Sequence, residues 1–231
     1  VASNIPGVGG LIGAGVNLLG GLTNAAFGSN INEAAVSNIK SNIANQAATT
    51  FDYSSSDNLI GDWSNYSDLA RVTGIDGIYR RAICHALNLK TVAKKHAHAM
   101  HKKYEDLNLI VCHIDGGITI TAHEKGKMID GNDGGGGDGP FTPTRMGSMA
   151  VTDIVRYLWD KPKEEMLNLC SVTGGLSNYF GTSNSDEIHK LVETDEHVRR
   201  VWDAMIYQVC KSIGAMSTVL KGNVDGIVLT G

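Results

Sequence analysis

A chain of 231 residues has room for one large domain or two small ones. Its 42% apolar and 19% charged content suits a globular, mixed α/β protein, and a net charge of −4 argues against a nucleic-acid binder held by phosphate contacts. The four cysteines, Cys84, Cys112, Cys170 and Cys210, are scattered with no CxxC pair. That argues against zinc and reads as reduced, buried thiols in a cytosolic protein.

Residues 1–32 carry no charged side chain and are rich in glycine. They lack the basic leader and clean apolar core of a secretory signal. They are long enough to span a bilayer, and Gly9 and Gly13 stand at the GxxxG spacing that packs membrane helices, but the many Gly and Asn residues argue against a span. A mobile or loosely helical leader is the expectation. Residues 33–50 predict a helix with Ile39, Ile43, Ala44 and Ala47 on one face. Residues 50–67, rich in Ser, Asp and Asn, read as loop. Residues 78–100 predict one long helix, with Ile83 and Leu87 in register. Arg80, Arg81, Lys90, Lys94 and Lys95 would form its solvated basic face. His96, His98 and His101 read as an exposed cluster rather than a metal site.

The centre of the chain is residues 107–147. Residues 107–112 are a short Ile, Leu and Val-rich run, hence a buried strand. His113-Ile-Asp-Gly-Gly117 breaks it with a tight turn, and residues 118–122 alternate as a returning strand. Such a hairpin can present bare backbone N–H groups to an anion. Residues 131–139 predict a flexible glycine loop, closed by Pro140 and Pro143, that delivers Arg145. Beyond it, residues 149–159 predict a helix with Ile154, Val155 and Leu158 inward. Residues 163–169 predict another, with Pro162 at its start. Residues 174–184 read as loop. Residues 195–219 predict a long helix whose stripe of Val198, Val201, Trp202, Met205, Val209, Ile213 and Met216 is core. Residues 224–229 predict a buried strand.

Several of these stretches resemble the butyrate kinases of the acetate and propionate kinase group. The resemblance rests on Leu69-Ala-Arg-Val-Thr-Gly-Ile75, Tyr79-Arg-Arg-Ala-Ile-Cys-His-Ala-Leu-Asn88 and Leu109-Ile-Val-Cys-His-Ile-Asp-Gly-Gly-Ile-Thr119. It continues through Ala122-His-Glu-Lys-Gly-Lys127, Asp138-Gly-Pro-Phe-Thr-Pro143, Arg145, Gly181-Thr182 and Val224-Asp-Gly-Ile-Val-Leu-Thr-Gly231. It implies an α/β fold: a ribonuclease H-like, actin-like ATPase lobe with a mixed central sheet and flanking helices. Residues 68–231 would be that kinase lobe, the second of two, and residues 1–67 an atypical leader, helix and polar loop.

The resemblance also implies direct phosphoryl transfer from ATP, with Mg²⁺, to butyrate or a branched short-chain acid, giving ADP and an acyl phosphate. Phosphoryl transfer asks for charge neutralisation and in-line positioning more than covalent help. By resemblance, His85 and Arg145 are catalytic: His85 donates to the transferring group and Arg145 neutralises its oxygens. His113, Gly116, Gly117, Gly181 and Thr182 would line the nucleotide phosphates, and Asn132 would shape the cleft. The metal ligands stay unassigned: Asp52 is a candidate, but its spacing from Leu69 does not fit the family. A cytoplasmic homodimer is expected, without nucleic acid or membrane as partners.

Three departures favour an alternative, a non-catalytic degenerate kinase-like module for binding or assembly. Asp115 stands where the family has glycine. A carboxylate ~4 Å from a phosphate oxygen would cost about 4 kcal/mol at an effective dielectric near 20. Asn184 and Asp186 stand where the family has Asp and Arg. The family's Asn-Pro-Gly-Ser-x-Ser-x-Lys phosphate motif is absent from the 231 residues, and the chain stops at the first glycine of the adenosine turn. An internal cut or incomplete gene model is therefore expected, with weak or no activity for this chain alone.

Overall fold

The computed structural model describes residues 66–231. The leader with its GxxxG spacing, the helix expected over 33–50, Asp52 and most of the polar loop lie outside the described residues. Among the described residues, four strands form one mixed sheet: β1 (Asn108–Ile114), β2 (Ile118–Glu124), β3 (Lys127–Gly131) and β4 (Gly226–Thr230), in the order β3-β2-β1-β4. β1 pairs antiparallel with β2 and parallel with β4, and β2 pairs antiparallel with β3.

The continuous apolar run of β1 follows from burial on both faces. Ile110, Cys112 and Ile114 enter one core cluster, whereas Leu109 and Val111 enter the other. The first cluster is filled by the long helix over residues 196–219, the second by Leu89, Val92, Ala93 and Ala97 of the helix over residues 86–99. One sheet is thus packed between helices, as alternating side chains along a strand require.

The hairpin is tighter than the expected turn. Ile114 faces Ile118 across the β1–β2 ladder, so only Asp115, Gly116 and Gly117 make the turn, and His113 sits in the strand. β3 forms in a stretch for which the sequence pattern predicts no strand. Lys125 and Gly126, at φ 47° and 82°, join it to β2 as a two-residue turn with both φ positive, matched to the twist of a hairpin.

The helices among the described residues are α1 (Asp68–Arg71), α2 (Ala86–Ala99), α3 (Val151–Leu158), α4 (Lys163–Ser171), α5 (Leu176–Phe180), α6 (Ser185–Leu191) and α7 (Glu196–Val219). α7 agrees with its sequence pattern: Asp195 Oδ1 accepts the amides of His197 and Val198 as N-cap, and every residue of the expected stripe is buried. α5 and the start of α6 lie in or beside the stretch expected as loop over 174–184. In α3, Leu158 is buried but Val155 is exposed, contrary to the inward face expected.

α2 begins at Ala86, not at residue 78. Arg80 donates to the carbonyls of Ala70 and Gly131 and pairs with Asp130 at 3.1 Å and Asp138 at 3.4 Å. Arg81 lies 3.3 Å from Asp133, and the Gly134 N–H donates to the Ile83 carbonyl. These partners hold residues 79–85 outside a helix, so Arg80 and Arg81 are not a solvated helical face and Ile83 is 41% exposed. The glycine loop is anchored by the same acids. Asp133 Oδ1 accepts from Gly135 and Gly136, and Asp138 accepts from Asp133 and Gly139.

One buried polar chain crosses the second cluster: Tyr104 Oη, 2.5 Å from His123 Nδ1, and His123 Nε2, 2.8 Å from Thr121 Oγ1. Burial holds the His123 imidazole down to about 3, with Lys90 acting in the same direction. An unfolded histidine titrates near 6.5. Below that pH the unfolded chain takes up a proton that the fold refuses, so stability falls as pH falls from about 6.5 towards 3. The expected slope from His123 is about 1.4 kcal/mol per pH unit. Urea unfolding at pH 7, 6 and 5 should show that loss, and His123→Gln should flatten it by one proton's share; an unchanged slope in the variant would place the proton elsewhere.

Candidate functional site

The expected phosphoryl-transfer residues converge where β1 ends. His113 occupies the penultimate position of β1. His85 is the N-cap residue of α2, just outside the helix. Their rings stack with centroids 3.8 Å apart and planes 23° off parallel. His85 Nδ1 lies 2.8 Å from Thr119 Oγ1, and His113 Nδ1 lies 3.1 Å from Asn88 Oδ1. Both rings are therefore oriented through Nδ1, leaving Nε2 of each without a partner among the described residues. Burial, then His113 and Arg145, hold His85 down to about 4. Burial and Arg145 lower His113 as well, with Asp115 opposing. Both rings are neutral at pH 7, as two stacked imidazoles beside an arginine must be.

Arg145 arrives from the loop before α3 and lies flat against Gly117. A Cβ at Gly117 would sit 2.2 Å from Arg145 Nη1, so only glycine admits the guanidinium here. Arg145 Nε and Nη1 are buried and have no hydrogen-bond partner among the described residues. Burial pulls its pKa down from the ordinary value, opposed by Asp133, and the guanidinium stays charged. Gly116 faces open space. Its carbonyl accepts two hydroxyls, Thr142 Oγ1 at 2.7 Å and Thr144 Oγ1 at 2.8 Å.

The remaining expected residues have other local work. Asn132 Oδ1 accepts the Ile120 amide, and its Nδ2 donates to the carbonyls of Ile118 and Asp138. That amide pins the loop to β2, which shapes the site but leaves no donor for a nucleotide. Gly181, at φ 70°, closes α5, and Thr182 Oγ1 accepts the Asn184 amide. No hydrogen bond among the described residues joins Gly181 or Thr182 to the Arg145 cluster. Asn184 caps α6 by accepting from Asp186 and Glu187, and Asp186 sits in the first turn, where a carboxylate suits the helix dipole. The exchanges at 184 and 186 thus make a good helix start.

Sequence reasoning missed Asn88, Thr119, Thr142 and Thr144. Hydroxyl and amide side chains have no chemistry of their own to betray them, although Thr142 and Thr144 flank Pro143 next to the expected arginine. No group of three or more His, Cys, Asp or Glu among the described residues is placed to hold a metal ion. His98 and His101 are exposed, as expected, but His96 is half-buried beside Gly226. All four cysteines are free thiols, with Cys112 fully buried.

A model of the acetokinase family matches residues 22–231. The chain belongs to the acetokinase family. Its fold is similar to an acetate kinase of Porphyromonas gingivalis (TM-score 0.64, 19% identity, 70% of this chain and 43% of that one). It is similar also to an acetate kinase of Entamoeba histolytica (0.64, 21%, 72% and 45%) and a propionate kinase of Francisella tularensis subsp. tularensis SCHU S4 (0.62, 22%, 70% and 44%). These likenesses show the actin-like ATPase fold expected from the sequence, and this acetokinase-family chain spans less than half the length of each.

Asp115 is exposed on the turn. Where water surrounds the carboxylate, its cost to an anion ~4 Å away falls from the roughly 4 kcal/mol of a dielectric near 20 towards the about 1 kcal/mol of bulk water. Asp115→Gly should therefore tighten pyrophosphate binding only about fivefold in calorimetric titration. A gain of a thousandfold would show the carboxylate acting unscreened.

Proposed function

We propose that this chain carries the phosphoryl-transfer half of a short-chain carboxylate kinase, with butyrate or a branched relative as acceptor. The observation that supports this reading is a half-buried guanidinium, without a partner at Nε and Nη1 among the described residues, pressed against a two-glycine turn beside two neutral imidazoles. Such a site suits an anion that spreads charge over several oxygens. In the proposed step a carboxylate oxygen of the acid attacks the γ-phosphorus of ATP. The bond from that phosphorus to the bridging oxygen breaks, and ADP leaves with the electron pair. No proton needs to move. Arg145 would neutralise the equatorial oxygens as they gain charge. The Thr119 hydroxyl, donating to His85 Nδ1, would leave Nε2–H free to donate to the same group. His113, Gly116 and Gly117 would line the phosphates. Mg²⁺ would enter as the counter-ion of ATP. Cytoplasmic localisation and a homodimer complete the reading.

A second reading, a non-catalytic kinase-like module, is favoured by Asp115 and by Asp186 in place of a basic residue. The two separate in one assay. Acyl phosphate formed from butyrate, ATP and Mg²⁺ is trapped with hydroxylamine, beside Arg145→Ala. The kinase reading expects at most weak hydroxamate formation from this half of the enzyme, reduced about 100-fold or more in the variant. Nucleotide binding by a folded chain without hydroxamate would favour the module.

A further inference from the structure

We propose that Thr142 is a positioning residue that aims the Gly117 amide and the Arg145 guanidinium at one phosphoryl anion; this rests on the phosphoryl-transfer reading above. Thr142 is 1% exposed, and its hydroxyl uses all of its hydrogen-bonding capacity. It donates to the Gly116 carbonyl at 2.7 Å and accepts the amides of Thr144 at 3.1 Å and Arg145 at 3.0 Å. The Thr142 amide also donates to the Arg145 carbonyl at 2.9 Å, so residues 142 and 145 are bonded in both directions. The Leu176 amide in turn donates to the Thr142 carbonyl at 3.1 Å, which ties this short loop to the start of α5.

The consequence for the turn follows from peptide geometry. The Gly116–Gly117 peptide is trans, so its C=O and N–H point in opposite directions. Thr142 and Thr144 together occupy both lone pairs of the Gly116 carbonyl. Fixing that carbonyl towards the threonine loop fixes the Gly117 N–H away from it. That amide has no acceptor among the described residues. Arg145 lies against the Cα of the same glycine. One hydroxyl therefore sets the direction of a free backbone donor and the start of the residue carrying a free guanidinium. Two donors held in advance lose less on binding an anion than two that must be ordered by it.

The test is a titration of the isotopically labelled chain with inorganic pyrophosphate, following the Gly117 amide resonance. The wild type is compared with Thr142→Val, which keeps the shape and removes the hydroxyl, with Thr142→Ser, which keeps the hydroxyl, and with Thr144→Val. Each variant's fold is checked by circular dichroism. The expected result is a saturable Gly117 shift in the wild type, about tenfold weaker binding in Thr142→Val and about threefold weaker in Thr144→Val. Thr142→Ser should stay within about twofold of wild type. A folded Thr142→Val that binds like wild type, or a Thr142→Ser as weak as Thr142→Val, overturns the positioning role while leaving the phosphoryl-transfer reading intact. Should Thr142→Val fail to fold, an unchanged Thr144→Val affinity overturns it instead. A wild type whose Gly117 never responds to pyrophosphate sinks both.

Discussion

The site depends on a half-buried cation, two of whose nitrogens have no acceptor among the described residues. Arg145 keeps Nε and Nη1 out of water and unbonded, against a glycine that leaves no room for any side chain. Folding would avoid this arrangement if packing were the only concern, because a buried donor left unpaired costs free energy. The energy to hold it comes from elsewhere in the lobe. The hairpin that carries Gly117 is built on a sheet buried on both faces, and the loop that carries Arg145 is bonded back to that hairpin by Thr142 and Thr144.

The two core clusters divide the labour. The α7 side is a plain apolar core, with Trp202 fully buried among Val, Met and Ile side chains. The α2 side is where the lobe meets its own polar chemistry. There Arg80 bridges two acids and two carbonyls, Asn132 fastens the glycine loop to β2, and the Tyr104–His123–Thr121 chain runs beneath β2. These polar groups are satisfied by one another, which is the condition for burying them. The histidines of the site stand at the edge of this polar half. Their neutral state follows from its dryness and from the neighbouring arginine.

What the sequence disclosed follows the range of each interaction. β1, β2, β4 and α7 were legible because their signals are local: an apolar run, a two-glycine break, a seven-residue stripe after Asp195. The start of α2 was not. Ile83 and Leu87 mimic helical spacing, while the contacts that keep residues 79–85 extended reach Asp130 and Asp138, 50 and 58 residues away. β3 escaped because its five residues, Lys-Met-Ile-Asp-Gly, alternate too briefly to register. In the site, His85, His113, Gly117 and Arg145 were named through resemblance, and the fold brings them together. Thr142 and Asn88 had no such signal, since their roles exist only through the atoms they touch. The screening of Asp115 also had to wait for the structure, because exposure of a turn residue cannot be read from its identity.

The central claim is that Arg145 and the Gly117 amide are held ready for one anion. The most direct measurement is a crystal structure of this chain grown with pyrophosphate. The account predicts a phosphate oxygen within hydrogen-bond distance of both the Arg145 guanidinium and the Gly117 N–H, with the His85–His113 stack unchanged. Pyrophosphate bound elsewhere, with Arg145 turned to pair directly with Asp133, would contradict it.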